Sequence, residues 1–237
     1  MGAVVTDDEA LPVWPPFAPA RDGRLAPLLA GARRRRYRAG EVVFHEGDVA
    51  DTVHVIEQGH VAIQVITENG ETVTYRVLGP GDVFGELALQ SGRVRRYGNT
   101  VALDETVTCV VDADGLRADC LTDPGIAQAL IDFLALQVRG YAAAVVEALF
   151  VPVETRVLRR LAAMARVYGD GGAGTMIPLT QESLAELSGT SRATVNRVLK
   201  NLERAHIVAR RRAAVVVCDP EALGWAVATA PSSVSSG

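Results

Sequence analysis

Residues 180–203, TQESLAELSGTSRATVNRVLKNLE, admit few folds, because they read as two helices joined by a tight turn. Thr180 has the hydroxyl to cap the first helix, Leu184 and Leu187 face inward, and Ser188-Gly189-Thr190 supplies the break. Thr190 or Ser191 caps the second helix, whose residues then separate by face. At about 100° per residue, Val195, Val198, Leu199 and Leu202 fall on one side. Arg192, Ala193, Asn196, Arg197, Lys200 and Arg204 fall nearly opposite. The apolar stripe packs on the first helix, while arginine and asparagine point outward, the types suited to bidentate contact with guanine and adenine edges. An ordinary hairpin with a solvated basic face is the plain alternative. The small-residue turn, the capping hydroxyl and the outward Arg-Asn-Arg set together favour DNA recognition.

Charge points the same way once it is divided. The whole chain of 237 residues carries −4, but residues 1–151 carry −8, residues 152–218 carry +6 and residues 219–237 carry −2. The positive segment holds the helix-turn-helix, where phosphate contact needs it. The length allows one large or two modest domains, and 49% apolar residues suffice for a packed core. No unbroken apolar run approaches the ~20 residues that span a bilayer. The acidic Asp7, Asp8 and Glu9 are unlike the start of a signal peptide. Cys109, Cys120 and Cys218 are odd in number and far apart, and no CxxC pair or His-Cys cluster suggests zinc or an iron–sulfur sensor. The expected location is a reducing cytoplasm.

Residues 1–23 carry Pro12, Pro15, Pro16 and Pro19 with little periodicity and read as an unstructured arm. The run Arg33 to Arg36 reads as the solvated edge of a strand leading into Tyr37, ahead of a nucleic-acid patch. From there to residue 111 short β-branched strands alternate with glycine turns: 42–44, 53–57, 61–67, 72–78 and 106–111, with Asn69-Gly70 a hairpin signal. Strands at this spacing predict a small barrel or jelly roll. A helix then runs from Pro124 to Phe150, roughly 40 Å long. Ala127, Ile131, Leu134, Val138, Tyr141, Val145 and Ala148 make a heptad seam for a two-stranded coiled coil, and Ile126, Leu130 and Phe133 a second face for the barrel. Further on come a helix over 154–168, a glycine loop over 169–174 and two wing strands, 207–210 and 213–218. Arg210-Arg211-Arg212 forms the wing tip, and Asp219-Pro220 the start of a last helix. The expected domains are the arm 1–23, a barrel domain 24–123, a dimerisation helix 124–151, a winged helix-turn-helix 152–229 and a disordered tail 230–237.

One segment carries small-molecule chemistry. Gly81-Asp82-Val83-Phe84-Gly85-Glu86-Leu87-Ala88-Leu89 precedes Arg95-Arg96-Tyr97. A glycine turn feeding a short helix presents free amides to an anion. A carboxylate beside it suits a ligand that also offers a hydroxyl, and an arginine supplies a charge-assisted pair to phosphate. A surface ion pair is the alternative, worth about 0–1 kcal/mol.

The run Ser191-Arg192-Ala193-Thr194-Val195-Asn196-Arg197, and the order of barrel, long helix and helix-turn-helix, resemble the Crp/Fnr (catabolite activator) family of bacterial transcription regulators. The resemblance covers nearly everything from Tyr37 to Leu223. It implies an α+β fold: a cyclic-nucleotide-binding jelly roll, a dimerisation helix and a winged helix-turn-helix. The family's phosphate-cassette glycine and glutamate match Gly85 and Glu86, with Leu87 and Ala88 following, and its phosphate-binding arginine matches Arg96, not Arg95. Three departures stand out. The glutamate after the recognition helix's first arginine is Ala193, so the contact to cytosine it would make is missing. Tyr97 and Gly98 replace the serine or threonine and alanine after the arginine. Tyr141-Ala142 replaces the threonine-serine pair that reads adenine across the dimer.

The expected function is a homodimeric, sequence-specific DNA-binding regulator controlled by a cyclic nucleotide, cyclic AMP first, with no obligatory cofactor. Thr180, Ser191, Arg192, Ala193, Asn196, Arg197, Lys200, Arg211 and Arg212 form the expected DNA surface, with Arg192 and Arg197 on guanine, Asn196 on adenine, and Lys200, Arg211 and Arg212 on phosphate. Expected partners are a near-palindromic DNA operator and a second copy of the chain, with RNA polymerase the remaining candidate and no membrane. A regulator with a degenerate pocket is one alternative, favoured by Tyr97 and Tyr141. A redox or haem sensor is another, needing His or Cys ligands where His45, His54 and His60 read as surface residues of strands and turns. No pairing of carboxylates, nucleophile and base, or metal-ligand spacing suggests an enzyme.

Overall fold

A computed structural model describes residues 4–5, 32–70, 72–169 and 171–230 of the chain. Apart from Val4–Val5, the expected arm lies outside them, as do residues 231–237 of the expected tail. The described chain divides into two compact units, with the main division inside the long helix after Arg139 and residues 73–75 grouped with the second unit.

The first unit is a roll of two sheets. One has the order β1-β2-β9-β4-β7, formed by Val4–Val5, Arg33–Tyr37, Thr106–Asp112, Thr52–Gln58 and Val83–Phe84. The other has the order β3-β8-β5-β6, formed by Val42–Phe44, Asn99–Ala102, Val61–Ile66 and Thr72–Leu78. The strands read from sequence are all present. Also present are the short β7 and β8, whose pairing comes from distant partners, and β1, where Val4 and Val5 pair with Arg35 and Arg34 instead of staying unstructured. Along β2 only Arg34 is half-buried, against Glu57 at 2.9 Å; Arg33, Arg35 and Arg36 are exposed.

Strand β4 is covered on both faces. Val53 and Val55 pack with Cys109, Val111 and Leu116 and with Ile126, Ala129 and Phe133, which belong to the helices α1 (Ala113–Thr122) and α2 (Pro124–Phe150). The alternate residue Ile56 packs inside the roll with Val61, Leu78 and Phe84. Between them His54 points inward and is 2% exposed, which corrects its expected surface position. Helix α1 begins where the Asp112 side chain accepts from the Gly115 amide (2.7 Å). Its sequence, ADGLRADCLT, carries no apolar stripe to announce it.

Helix α2 has the two faces that its spacing predicts. Ile126 and Phe133 are buried on the roll, with Leu130 packed beside them; Ile131, Leu134, Val138, Tyr141 and Val145 of the expected seam are exposed, and so are Leu136, Val146 and Leu149 off it. The expectation of no membrane-length segment needs correction, because this helix is long and apolar enough to cross a membrane by length and composition. Asp132, Arg139 and Glu147 break the run without lowering its average much, because alanine, leucine and valine fill the rest.

The second unit starts from the end of α2 and adds α3 (Val153–Val167), α4 (Gln181–Ser188), α5 (Arg192–Arg204) and α6 (Pro220–Thr229). A three-stranded sheet, β10-β12-β11, is formed by Met176–Ile177, Ala214–Val217 and Val208–Arg211. Val157 and Leu161 of α3, Leu184 of α4, and Val195 and Leu199 of α5 are almost fully buried and make its core. Each fully buried side chain of this kind contributes on the order of 1.5–3 kcal/mol.

Candidate effector pocket and nucleic-acid interface

The turn from β7 into a single 3-10 turn, Glu86–Leu89, passes through Gly85 at φ 82°, ψ 13°. The Ala88 amide closes that turn on the Gly85 carbonyl at 3.0 Å. A Cβ at Gly85 would lie 2.8 Å from Arg96 Nη1 and 2.9 Å from the Thr52 carbonyl oxygen, so glycine is required for space and for backbone conformation alike. Arg96 is buried at 5% exposure. Its Nη2 donates to Thr52 Oγ1 (2.7 Å), its Nη1 lies 3.4 Å from the Gly85 carbonyl oxygen, and Asp51 Oδ1 is 3.6 Å from Nη2. The guanidinium lies 4.1 Å over the Phe44 ring, which also packs against His54 and Phe84. Burial pulls the guanidinium below its ordinary range, against the opposing charges of Asp51, Asp48 and Glu86.

Among the described residues, Arg96 Nε has no hydrogen-bond partner. A buried cationic donor left unmet is costly, and an anionic oxygen is the group that satisfies it. In the same turn Glu86, whose charge acts on Arg96, is half-buried and Ala88 is buried. Arg95 takes no part, because its Nη1 donates to the Gly47 carbonyl (2.7 Å) at the surface. Tyr97 is 68% exposed and Leu87 39% exposed, so neither side chain closes the site. Gly98 has a steric reason: a Cβ there would lie 2.4 Å from the Gln64 carbonyl oxygen on β5. Tyr141 and Ala142 lie on the exposed part of α2 in the second unit's segment.

The sequence reading missed Thr52, Phe44, Asp51 and His54. The His54 ring is flanked by hydroxyls, with Nε2 3.3 Å from Thr52 Oγ1 and Nδ1 3.2 Å from Thr108 Oγ1. Burial first, then the charges of Arg96 and Arg35, push it down to about 3, so it is neutral. Cys109 is pushed up to about 12, mainly by burial, so its thiol stays protonated and is a poor redox sensor. Among the described residues no group of three or more His, Cys, Asp or Glu side chains is placed to hold a metal ion.

On the second unit, Thr180 Oγ1 caps α4 by accepting from the Ser183 amide (3.0 Å), and Gly189 closes that helix in the left-handed conformation. Of the two candidate hydroxyls, Ser191 caps α5, accepting from the Thr194 amide (3.3 Å). Arg192, Ala193, Arg197 and Lys200 are exposed on α5, and Arg211 and Arg212 are exposed on the wing. Thr180, Arg192 and Arg211 line one cavity of about 370 Å³ with Arg210. Arg197 Nη1 meets Glu154 Oε1 at 2.5 Å, but both are exposed, and such pairs give way for about 0–1 kcal/mol. Asn196 is not the free amide that the sequence suggests: its Oδ1 accepts from Arg210 Nη1 at 2.9 Å. Arg210 is in turn held by Glu203, through Nε to Oε2 at 2.7 Å. Asn196 and Glu203 stand seven residues apart on one helix face, a spacing visible in the sequence. The wing arginine that joins them was not.

Comparison with known proteins adds to this geometry. Residues 34–123 match the cyclic nucleotide-binding domain model and residues 155–224 the Crp-like helix-turn-helix domain model. The CRP-like cAMP-activated global transcriptional regulator of Mycobacterium tuberculosis is 31% identical over 187 residues, covering 78% of this chain and 83% of the relative. The chain belongs to the Crp/Fnr family of transcription regulators. It is therefore a Crp/Fnr-type regulator, with a cyclic nucleotide-binding domain followed by a DNA-binding helix-turn-helix. Two solved folds are similar to it. FixK2 of Bradyrhizobium japonicum has TM-score 0.69 and 24% identity over 84% of this chain and 99% of that one. The c-di-GMP responsive regulator CLP of Xanthomonas campestris has TM-score 0.67 and 24% identity over 83% and 99%. At that identity the likeness is one of fold.

Proposed function

We propose that this Crp/Fnr-type regulator works as a homodimer whose barrel takes a cyclic nucleotide, cyclic AMP first, and whose paired helix-turn-helix modules bind a near-palindromic operator. The observation that carries the effector reading is the buried, unmet Nε of Arg96 beside the Gly85 cradle. Arg96 and the backbone at Gly85 would hold the phosphate, and Glu86 a ribose hydroxyl. The exposed heptad seam of α2 supports the dimer, because it leaves Ile131, Leu134, Val138 and Val145 in water until a second copy covers them. The working division is 24–123 for the effector, 124–151 for pairing and 152–229 for DNA. Ligand favours one arrangement of the paired helices, which sets the recognition helices one turn of duplex apart, about 34 Å. A dimer bound at a promoter helps or blocks RNA polymerase, which makes the polymerase its remaining partner.

A second reading, a regulator that needs no nucleotide, is favoured by the outward Tyr97 and by the partners that Arg96 already has in Thr52 and Asp51. Calorimetry on the intact protein with cyclic AMP, cyclic GMP and cyclic di-GMP separates the two, run beside sedimentation and selection from a random duplex pool. Saturable binding of cyclic AMP that Arg96→Ala removes, with sharper operator selection in its presence, supports the first reading. Operator selection without any nucleotide heat supports the second, and a monomer at working concentration overturns both.

A further inference from the structure

We propose that Arg210 is a specificity-determining residue: by taking one lone pair of Asn196 Oδ1 it fixes which way the amide faces and weights the base contact toward the Nδ2 donor, so the step read there favours an acceptor, guanine first, over adenine. The inference rests on the reading that α5 enters the major groove. It starts from donor chemistry. A guanidinium has five N–H donors and no acceptor, so the Asn196 atom that meets Arg210 Nη1 at 2.9 Å is the carbonyl oxygen. The amide orientation is thereby fixed by its partner.

The partner is itself fixed. Arg210 Nε and Nη2 both reach Glu203 Oε2 at 2.7 Å, and the Arg210 amide donates to Glu203 Oε1 at 3.2 Å. Three contacts from one carboxylate hold a wing arginine that would otherwise swing through many rotamers. The Arg210 and Glu203 side chains are 29% and 38% exposed, so the set lies at the helix surface and is held by its three contacts. Those hydrogen bonds, the backbone one first, hold the Glu203 carboxyl below its usual range and keep it charged.

Adenine offers the asparagine a donor at N6 and an acceptor at N7, and a bidentate contact uses both amide atoms. With one Oδ1 lone pair taken and the amide orientation set by Arg210, the N6 half of that contact is weakened. Guanine offers two acceptors, N7 and O6, to the remaining amino group. Thymine offers a single acceptor, O4, and cytosine only its N4 donor, so both rank below guanine.

Selection from a random duplex pool tests this with the intact protein, in wild-type form and as Asn196→Ala, Arg210→Met and Glu203→Gln. The step whose preference disappears in Asn196→Ala is the one Asn196 reads. At that step the wild type is expected to select guanine, and Arg210→Met to move the preference to adenine by about tenfold, other steps unchanged. Glu203→Gln loosens the same arginine without touching the wing strand, and it should move the same step part of the way. It also carries the test if Arg210→Met melts early by circular dichroism. Unchanged selection in Arg210→Met and Glu203→Gln overturns the proposal. So does a uniform loss of affinity with a shallower salt dependence, which would make Arg210 a phosphate contact. A wild type that selects no sequence overturns the groove reading itself, a result distinct from either.

Discussion

Two arginines, Arg96 in the roll and Arg210 on the wing, are both withdrawn from water, and their surroundings treat them oppositely. Arg96 is nearly fully buried, yet its close partners are a hydroxyl, a carbonyl and a phenyl face, and the nearest carboxylate, Asp51, lies 3.6 Å away and is largely exposed. One of its donors is unmet. Arg210 meets its carboxylate at 2.7 Å and uses the remaining arm on an amide. The first keeps an unmet donor, which the proposed phosphate would satisfy. The second is complete already, and what it does is orient a neighbour. Charge burial alone therefore does not identify a binding site, and an unmet donor does not do so alone either, because among the described residues Arg156 Nε and Arg160 Nε are equally unmet; Arg96 differs in standing over the Gly85 turn.

The largest effect should come from closing the cradle around Arg96. Gly85→Ala forces a side chain into a left-handed backbone and against Arg96 Nη1 and the Thr52 carbonyl. The backbone cost is about 1–2 kcal/mol and the overpacking cost about 1–3 kcal/mol. Thermal or urea unfolding should show a loss of about 2–5 kcal/mol in this variant. A loss under about 1 kcal/mol would mean that Arg96 yields readily, and the cradle would not be rigid.

Arg96→Met sharpens the contrast, because it separates stability from binding. The carboxylate nearest Arg96, Asp51, is 70% exposed, so exchanging the arginine for an apolar chain strands no buried charge and removes a desolvated one. Melting of the ligand-free variant should therefore match or exceed wild type, while cyclic nucleotide affinity falls about a hundredfold, as expected for a charge-assisted contact worth about 1.5–3 kcal/mol. Were Arg96 a structural residue like Arg210, stability would fall and any nucleotide binding would persist.

The same contrast explains what the sequence could announce. The helix-turn-helix is written locally: Thr180 and Ser191 are hydroxyls at helix starts, Gly189 marks the turn, and Val195, Val198, Leu199 and Leu202 repeat with helical period. Helix α2 was legible for the same reason, down to both of its faces. The family resemblance singled out Arg96, but not what grips it. Thr52 and His54 alternate with Val53 and Val55 on a strand buried on both sides, so no polar face stands out to the eye. Arg210 looked like one of three wing-tip cations, since nothing in a run of arginines tells which one folds back onto α5. Contacts made across sheets and between wing and helix are long-range, and composition does not encode them.

The smallest predicted effect concerns His54, and it extends the contrast to acid. This ring is pushed from 6.5 down to about 3 in the folded protein, by burial first and then by Arg96 and Arg35. Between those two values the unfolded chain takes up a proton that the folded one refuses, so stability rises with pH through that window and is flat above it. A tenfold change in proton affinity is worth about 1.4 kcal/mol, so acidifying to pH 5 should cost roughly 2 kcal/mol through this one residue. His54→Gln keeps a neutral polar side chain between Thr52 and Thr108 and abolishes the titration. Urea unfolding from pH 7 to pH 5 should then show a shallower acid limb than wild type, even if the variant is less stable at every pH. Parallel limbs would mean that the folded ring accepts its proton near the ordinary value. In that case the charge of Arg96 would be compensated well enough to tolerate a second cation beside it, and the contrast with Arg210 would disappear.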